Sequence, residues 1–215
     1  VNVGILRSLM PELVERAPNA VYVLVTNPCD VLAVAAQRFS GLPAGRVFSS
    51  GTVLDSSRLR WRLAERLGIA PASIHAMIVG EHGDSAFPLW SQSRIGPIPI
   101  RDWLDDTGRA LSVEELDQIA YEVKTAAYTV IAGKGATNYA IGLSGARIVE
   151  AVLRDEGAVL PVSSVLDDYR GVSGVALSVP SVVDAGGVSR VIDVPFSAEE
   201  ERALRDAARA YAQER

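Results

Sequence analysis

His82, one of only two histidines in the chain, lies within "VGEHGDS" at residues 79–85. Imidazole exchanges a proton near neutral pH, and an acid beside it fixes its tautomer and favours its charged form. A histidine next to glycine at the end of a strand sits where α/β proteins place functional groups, although an ordinary loop histidine fits the same description. A second pair offers matching chemistry. Asp55 and Arg58 are three residues apart at the start of a helical stretch, so they share a face. The guanidinium of Arg58 is a rigid fork suited to gripping a carboxylate. Asp55 could pair with Arg58 or reach a histidine nitrogen. On spacing alone such a pair is ordinarily a surface ion pair of small energetic worth.

Other residues leave two readings open. Arg60 follows Arg58 by two, about 200° around a helix, so the two arginines face different ways. His75 lies in a strand-like stretch, on one side with Met77 and Val79 by alternation, and reads unaided as a structural histidine. Asn27 in "TNPCD" carries a donor and an acceptor, but Asn-Pro usually means that a strand ends. Thr137 in "AGKGATNYAIG" could wall a pocket or cap a helix, and locally the cap is favoured. That stretch is no phosphate loop, because G-x-x-x-x-G-K-[ST] occurs nowhere in the chain. Cys29, the lone cysteine, reads as a packing residue.

The elements that must hold these residues are legible. Residues 1–17 read as a helix, 20–28 ("AVYVLVTNP") as a buried strand of the parallel kind, 30–40 as a helix with Asp30 near its start, and 46–51 as a short strand. That alternation signals a parallel α/β sheet. A helix over 53–67 follows, with Leu59, Leu63 and Leu67 as its stripe and Gly68 as its stop. "SIHAMIVG" is a strand that delivers the His82 loop. A long helix over 111–133 opens on the capping box Ser112 with Glu115. Another runs from Asn138 to Leu153. Three β-like segments at 158–166, 174–184 and 187–194 read as an antiparallel meander. An exposed helix capped by Ser197 closes the chain. The fold class expected is α/β then α+β.

Composition narrows the functions. A net charge of -5 and the lack of a basic stripe argue against nucleic acid. The apolar run "AVYVLV" is too short to span a bilayer. No signal peptide is evident, and a single cysteine suits a reducing cytoplasm. One Cys and two His make no zinc site by spacing, so no metal is expected.

"TNPCD", "SSGTVLDSSRLR", "VGEHGDS" and "GKGATNYAIG", in this order, resemble the NAD-dependent L-lactate dehydrogenases of bacteria over essentially the whole chain. The related malate dehydrogenases share the His-Gly pair and the Asp–Arg spacing, but usually carry a second glycine where Asp84 stands here. Asp84 and Thr137 therefore tilt the resemblance towards lactate. It implies that His82 is the acid/base, that Asp55 pairs with it, and that Arg58 clamps the substrate carboxylate. It implies that Asn27 orients substrate and nicotinamide, with Val25, Thr26, Ser8 and Ser50 beside NAD, and that Thr137 lines the substrate pocket. Arg60 and His75 match a pair that binds fructose 1,6-bisphosphate in activated members, which reverses the unaided reading of His75. A homotetramer acting on pyruvate and lactate is implied as well.

The resemblance starts after the dinucleotide fingerprint G-x-G-x-x-G and after the mobile loop that carries a second arginine; neither occurs here. With an uncapped first helix and no initial Met, the chain reads as a fragment. Residues 1–50 are expected to be the remainder of a Rossmann domain with an open sheet edge, and residues 51–215 the substrate domain. The isolated chain is then expected to turn over little. Two rivals remain: a lactate-like malate dehydrogenase, and a non-catalytic module that keeps only ligand and assembly contacts.

Overall fold

The computed structural model describes residues 2–134 and 138–213. Helix α1 (Asn2–Arg16) buries Met10 against strand β1 (Tyr22–Leu24) and helix α2 (Cys29–Ser40), where Tyr22 and Phe39 complete a small apolar cluster. Gly41 ends α2 in the left-handed conformation, its N–H bonded back to Gln37. Strand β2 (Val47–Ser49) runs parallel to β1, in register Tyr22 with Val47. Parallel neighbours require a crossover, and α2 supplies it. The alternation expected for the first 50 residues is therefore present.

Helix α3 (Val53–Leu67) follows, with Leu59 and Leu63 fully buried and Gly68 left-handed at its end. The stretch expected as one strand at 73–80 splits into β3 (Ile74–His75) and β4 (Ile78–Val79). Strand β4 pairs with β5 (Phe87–Pro88). Strand β3 pairs with β6 (Arg94–Ile95), which pairs in turn with β7 (Ile98–Pro99). The break corrects the alternation in part: His75 and Met77 line one cavity, but Ile78 and Val79 are both buried, so Val79 does not share a side with the exposed His75. Leu59, Leu63, Ile74, Ile78 and Ile95 join Leu116 and Val123 of helix α4 (Val113–Lys134) in one core cluster. The capping box of α4 is formed, with Glu115 N–H donating to Ser112 Oγ at 3.2 Å and Ser112 N–H to Glu115 Oε2 at 3.0 Å. Helix α5 (Tyr139–Leu153) starts on Asn138, whose side chain accepts from Tyr139 N–H.

The expected meander is also corrected. Its first two segments each divide near a proline, Pro161 and Pro180, into β8 (Ala158–Leu160) with β9 (Ser163–Val165), and β10 (Ala176–Ser178) with β11 (Ser181–Asp184). Proline cannot donate to a ladder, and each segment changes sheet there. Strands β8, β11 and β12 (Gly187–Val191) form a three-stranded antiparallel sheet. Strands β9 and β10 instead extend the first sheet, giving the order β1-β2-β9-β10, with β1 at an edge. One mixed sheet thus takes strands from both sides of residue 50.

Helix α6 (Ala198–Gln213) carries the expected Ser197 cap, as a full capping box with Glu200. It is not simply exposed. Leu204, Ala207 and Tyr211 pack with Ala33 and Val34 of α2 and Leu177 of β10 in a second core cluster. Among the described residues no helix is long and apolar enough to cross a membrane.

Candidate active site

Hydroxyl groups lock α3 to β4, and that lock sets the site. Thr52, just before the helix, gives its hydroxyl to the carbonyl of Ile78 at 2.5 Å rather than capping its own helix. Ser56 Oγ accepts from Ile78 N–H at 2.8 Å. The turn into α3 is tight: a Cβ on Gly51 would stand 2.4 Å from Ser178 Oγ and 2.8 Å from the Ser163 nitrogen, so only glycine fits. At the far end of β4, Gly80 exchanges two backbone hydrogen bonds with Ser178 of β10, at 2.9 and 2.7 Å. Its φ of +91° turns the chain into the His82 loop, a conformation that favours glycine.

These anchors bring His82 Nδ1 to 2.6 Å from Asp55 Oδ2. The other oxygen of the same carboxylate, Asp55 Oδ1, lies 3.5 Å from Arg58 Nη1. Asp55 is thus no mere surface partner of Arg58; it sits in the first turn of α3 between a histidine and an arginine. The helix N-terminus adds partial positive charge that favours a carboxylate there. The hydrogen bond from the ring to Asp55 is the largest influence on His82 and holds its pKa above the ordinary histidine value, against the opposing effect of burial. An imidazole bonded through Nδ1 leaves Nε2 to exchange a proton.

His82, Asp55, Gly83 and Asp84 line a cavity of about 500 Å³ together with Asn27 and with Tyr121 and Lys124 of α4. That size suits a small-molecule site. Arg58 does not line this cavity; it lines a neighbouring hollow of about 310 Å³ with Trp61 and Leu143. Thr137 lies outside the described residues. Val25, Thr26 and Asn27 are exposed just beyond the carboxyl end of β1, where open α/β sheets bind nucleotides. Ser50 is buried beyond the end of β2, with its N–H on the carbonyl of Leu24 at 2.9 Å. Ser8 is exposed on α1, its hydroxyl on the carbonyl of Ile5. Val25, with an exposed apolar side chain, and Asn27, with an amide donor and acceptor, are both exposed at this sheet end, and that chemistry fits one wall of a nicotinamide site.

Arg60 and His75 line a third cavity, about 370 Å³, with Pro71, Gln92, Leu160 and Pro180. Arg60 donates to the carbonyl of Ala76 at 3.2 Å and to Ser57 Oγ at 3.1 Å. Cys29 is buried; desolvation, with Asp30 next to it, pushes its thiol well above the ordinary range, so it packs and does not attack. Among the described residues no group of His, Cys, Asp and Glu could hold a metal ion.

Sequence reasoning gave Asp30 only the role of a helix-start charge. It is 3% exposed, and Oδ2 accepts from the backbone N–H of His82 at 2.7 Å. Tyr121 and Lys124 were also missed, because nothing in the sequence tells which face of α4 meets the His82 loop.

Residues 52–214 match the lactate/malate dehydrogenase alpha/beta C-terminal domain, and residues 1–49 match the lactate/malate dehydrogenase NAD binding domain. The chain belongs to the lactate/malate dehydrogenase family. Among its relatives, it is 47% identical over 207 residues to an L-lactate dehydrogenase of Bifidobacterium animalis subsp. lactis, covering 96% of this chain and 65% of that one. It is 44% identical to an L-lactate dehydrogenase of Thermoanaerobacterium saccharolyticum, covering 96% of this chain and 67% of the relative. The crystal structure of the minor L-lactate dehydrogenase of Enterococcus mundtii superposes with a TM-score of 0.93 at 37% identity, over 98% of this chain and 67% of that chain. The chain therefore spans about two thirds of the length of these relatives, 65% for the first.

Proposed function

We propose that this chain is part of an NAD-dependent L-lactate dehydrogenase that interconverts pyruvate and (S)-lactate. The observation that carries the reading is the single carboxylate of Asp55, 2.6 Å from His82 Nδ1 and 3.5 Å from Arg58. In this reading residues 1–50 serve the cofactor and residues 51–215 the substrate. NAD, when bound, supplies or accepts the hydride at C2 of the substrate. In the reducing direction His82 gives its Nε2 proton to the carbonyl oxygen of pyruvate as the C=O π bond opens. Asp55 stabilises the imidazolium before that transfer and holds the ring in one tautomer. Arg58 pairs with the substrate carboxylate, and Asn27 orients substrate and nicotinamide by donating and accepting. Val25, Thr26, Ser8 and Ser50 contribute to the NAD wall, and Thr137 to the substrate wall. The 215-residue chain alone turns over little, since no G-x-G-x-x-G lies within it to hold the pyrophosphate.

The cavity shared by Arg60 and His75 supports a further part of the proposal: fructose 1,6-bisphosphate binds there as an activator of a cytoplasmic homotetramer. A phosphate suits a guanidinium beside an imidazole. Substrate choice is tested on the full-length enzyme. The expected result is a higher kcat/KM for pyruvate than for oxaloacetate; the reverse order makes it a malate dehydrogenase. Substantial NADH-dependent pyruvate reduction by the 215-residue chain would overturn its dependence on the nucleotide fingerprint.

A further inference from the structure

We infer that Asp30 is a positioning residue for His82: its buried carboxylate holds the backbone of the His82 loop from α2 while Asp55 holds the ring from α3. The proposal rests on reading His82 as the proton carrier. Asp30 Oδ2 accepts from His82 N–H at 2.7 Å, and Oδ1 accepts from Ser49 Oγ at 3.0 Å and from the Cys29 thiol at 3.6 Å. The phenol of Tyr211 on α6 donates to the Asp30 carbonyl at 3.1 Å and so holds its main chain as well. A carboxylate only 3% exposed is costly unless its oxygens are bonded, and here both are. A neutral side chain could pack this space at less cost. What the carboxylate adds is a short charge-assisted bond to the one backbone group that sets where the histidine stands.

Its place in the chain gives the bond a second effect. Asp30 is three residues after Asn27, which lines the same cavity as His82. One side chain therefore ties the Asn27 turn to the His82 loop, across 52 residues of sequence. The charged groups around the ring are Asp55 and Arg58 on α3, Asp30 on α2, Lys124 on α4 across the cavity, and Glu81 and Asp84 on its own loop. Among them Asp30 adds negative charge that favours the protonated ring.

The discriminating variant is Asp30→Asn. Its amide can accept from His82 N–H and donate to Ser49 Oγ, so the shape and the His82 anchor survive while the charge and the long Cys29 contact go. The ring titration of His82 is followed by NMR in the 215-residue chain, with His75→Gln removing the other histidine. Asp30→Asn is expected to move the His82 titration to lower pH with the fold retained. In the full-length enzyme the pH limb of pyruvate reduction moves the same way, and kcat falls roughly tenfold with pyruvate KM little changed. Asp30→Ala, which also loses the backbone anchor, lowers kcat by about a hundredfold. If Asp30→Asn leaves both the titration and the pH limb in place, the proposal is overturned. Should Asp30→Asn not fold, Ser49→Ala decides: it loosens the carboxylate at its other oxygen, so amide hydrogen exchange at His82 N–H should quicken, and an unchanged exchange rate overturns the proposal. Turnover retained in His82→Gln defeats the proton-carrier reading instead, and the NMR titration judges Asp30 without any turnover.

Discussion

At the scale of single residues, Asp55 does two jobs with two oxygens, and each makes a prediction. The bond to His82 raises the pKa of the ring. A raised folded-state value means that the stability from this contact is fully present below the unfolded histidine pKa, about 6.5. It is lost as pH rises through the folded value. Melting temperatures of the chain and of His82→Gln should therefore differ most in acid and converge as pH increases; a gap that widens with pH contradicts the assignment. If the proposed proton transfer from the protonated ring operates, pyruvate reduction by the full-length enzyme should decline through the same range and lactate oxidation should rise. The other oxygen faces Arg58. Arg58→Lys replaces a planar fork with a point charge. It should raise pyruvate KM roughly ten- to a hundredfold, matching the loss of a charged hydrogen bond worth about 1.5–3 kcal/mol. Little change in KM would remove Arg58 from the substrate carboxylate. The Asp55–Arg58 spacing was legible in the sequence because helix periodicity fixes it. The approach of His82 was expected from the family resemblance alone, not from spacing: it depends on Thr52 and Ser56 tying α3 to β4, two hydroxyls that no spacing rule singles out.

At the scale of elements, helices were read more accurately than strands. Gly41 and Gly68 stop α2 and α3, and the Ser112–Glu115 and Ser197–Glu200 boxes start α4 and α6. Such signals are local, so they survive tertiary context. The β segments are short, and their pairing depends on distant partners. The interruptions at Pro161 and Pro180 send each half to a different sheet, which an alternating pattern alone does not reveal. Glu200 shows how a local signal acquires a long-range task. Besides capping α6 it accepts from Ser91 N–H at 2.9 Å and from the Ser91 hydroxyl at 2.5 Å, while almost wholly buried. Glu200→Ala should cost about 2–3 kcal/mol, for one arm of the capping box and the charge-assisted hydrogen bonds to Ser91, measurable by urea unfolding. A loss below about 0.5 kcal/mol, the range of ordinary surface changes, contradicts this account.

At the scale of the whole molecule, the site lies where two separately cored parts meet. Asp30 comes from a helix packed in the α6 cluster and Asp55 from a helix packed in the α4 cluster, and both bond to His82. The cavity that holds Arg60 and His75 is bounded by β8 and by residues just after β12 as well as by α3. Bisphosphate activation of the full-length enzyme should therefore be lost in Arg60→Gln or His75→Gln with the basal rate retained; intact activation removes the site. Whether His82 carries the proton in a lactate dehydrogenase reaction is decided by steady-state NADH-dependent pyruvate reduction by the full-length enzyme and its His82→Gln variant. With His82 as the proton carrier, kcat of the variant falls by roughly 10²–10⁴. Turnover within a fewfold of the parent enzyme would contradict it.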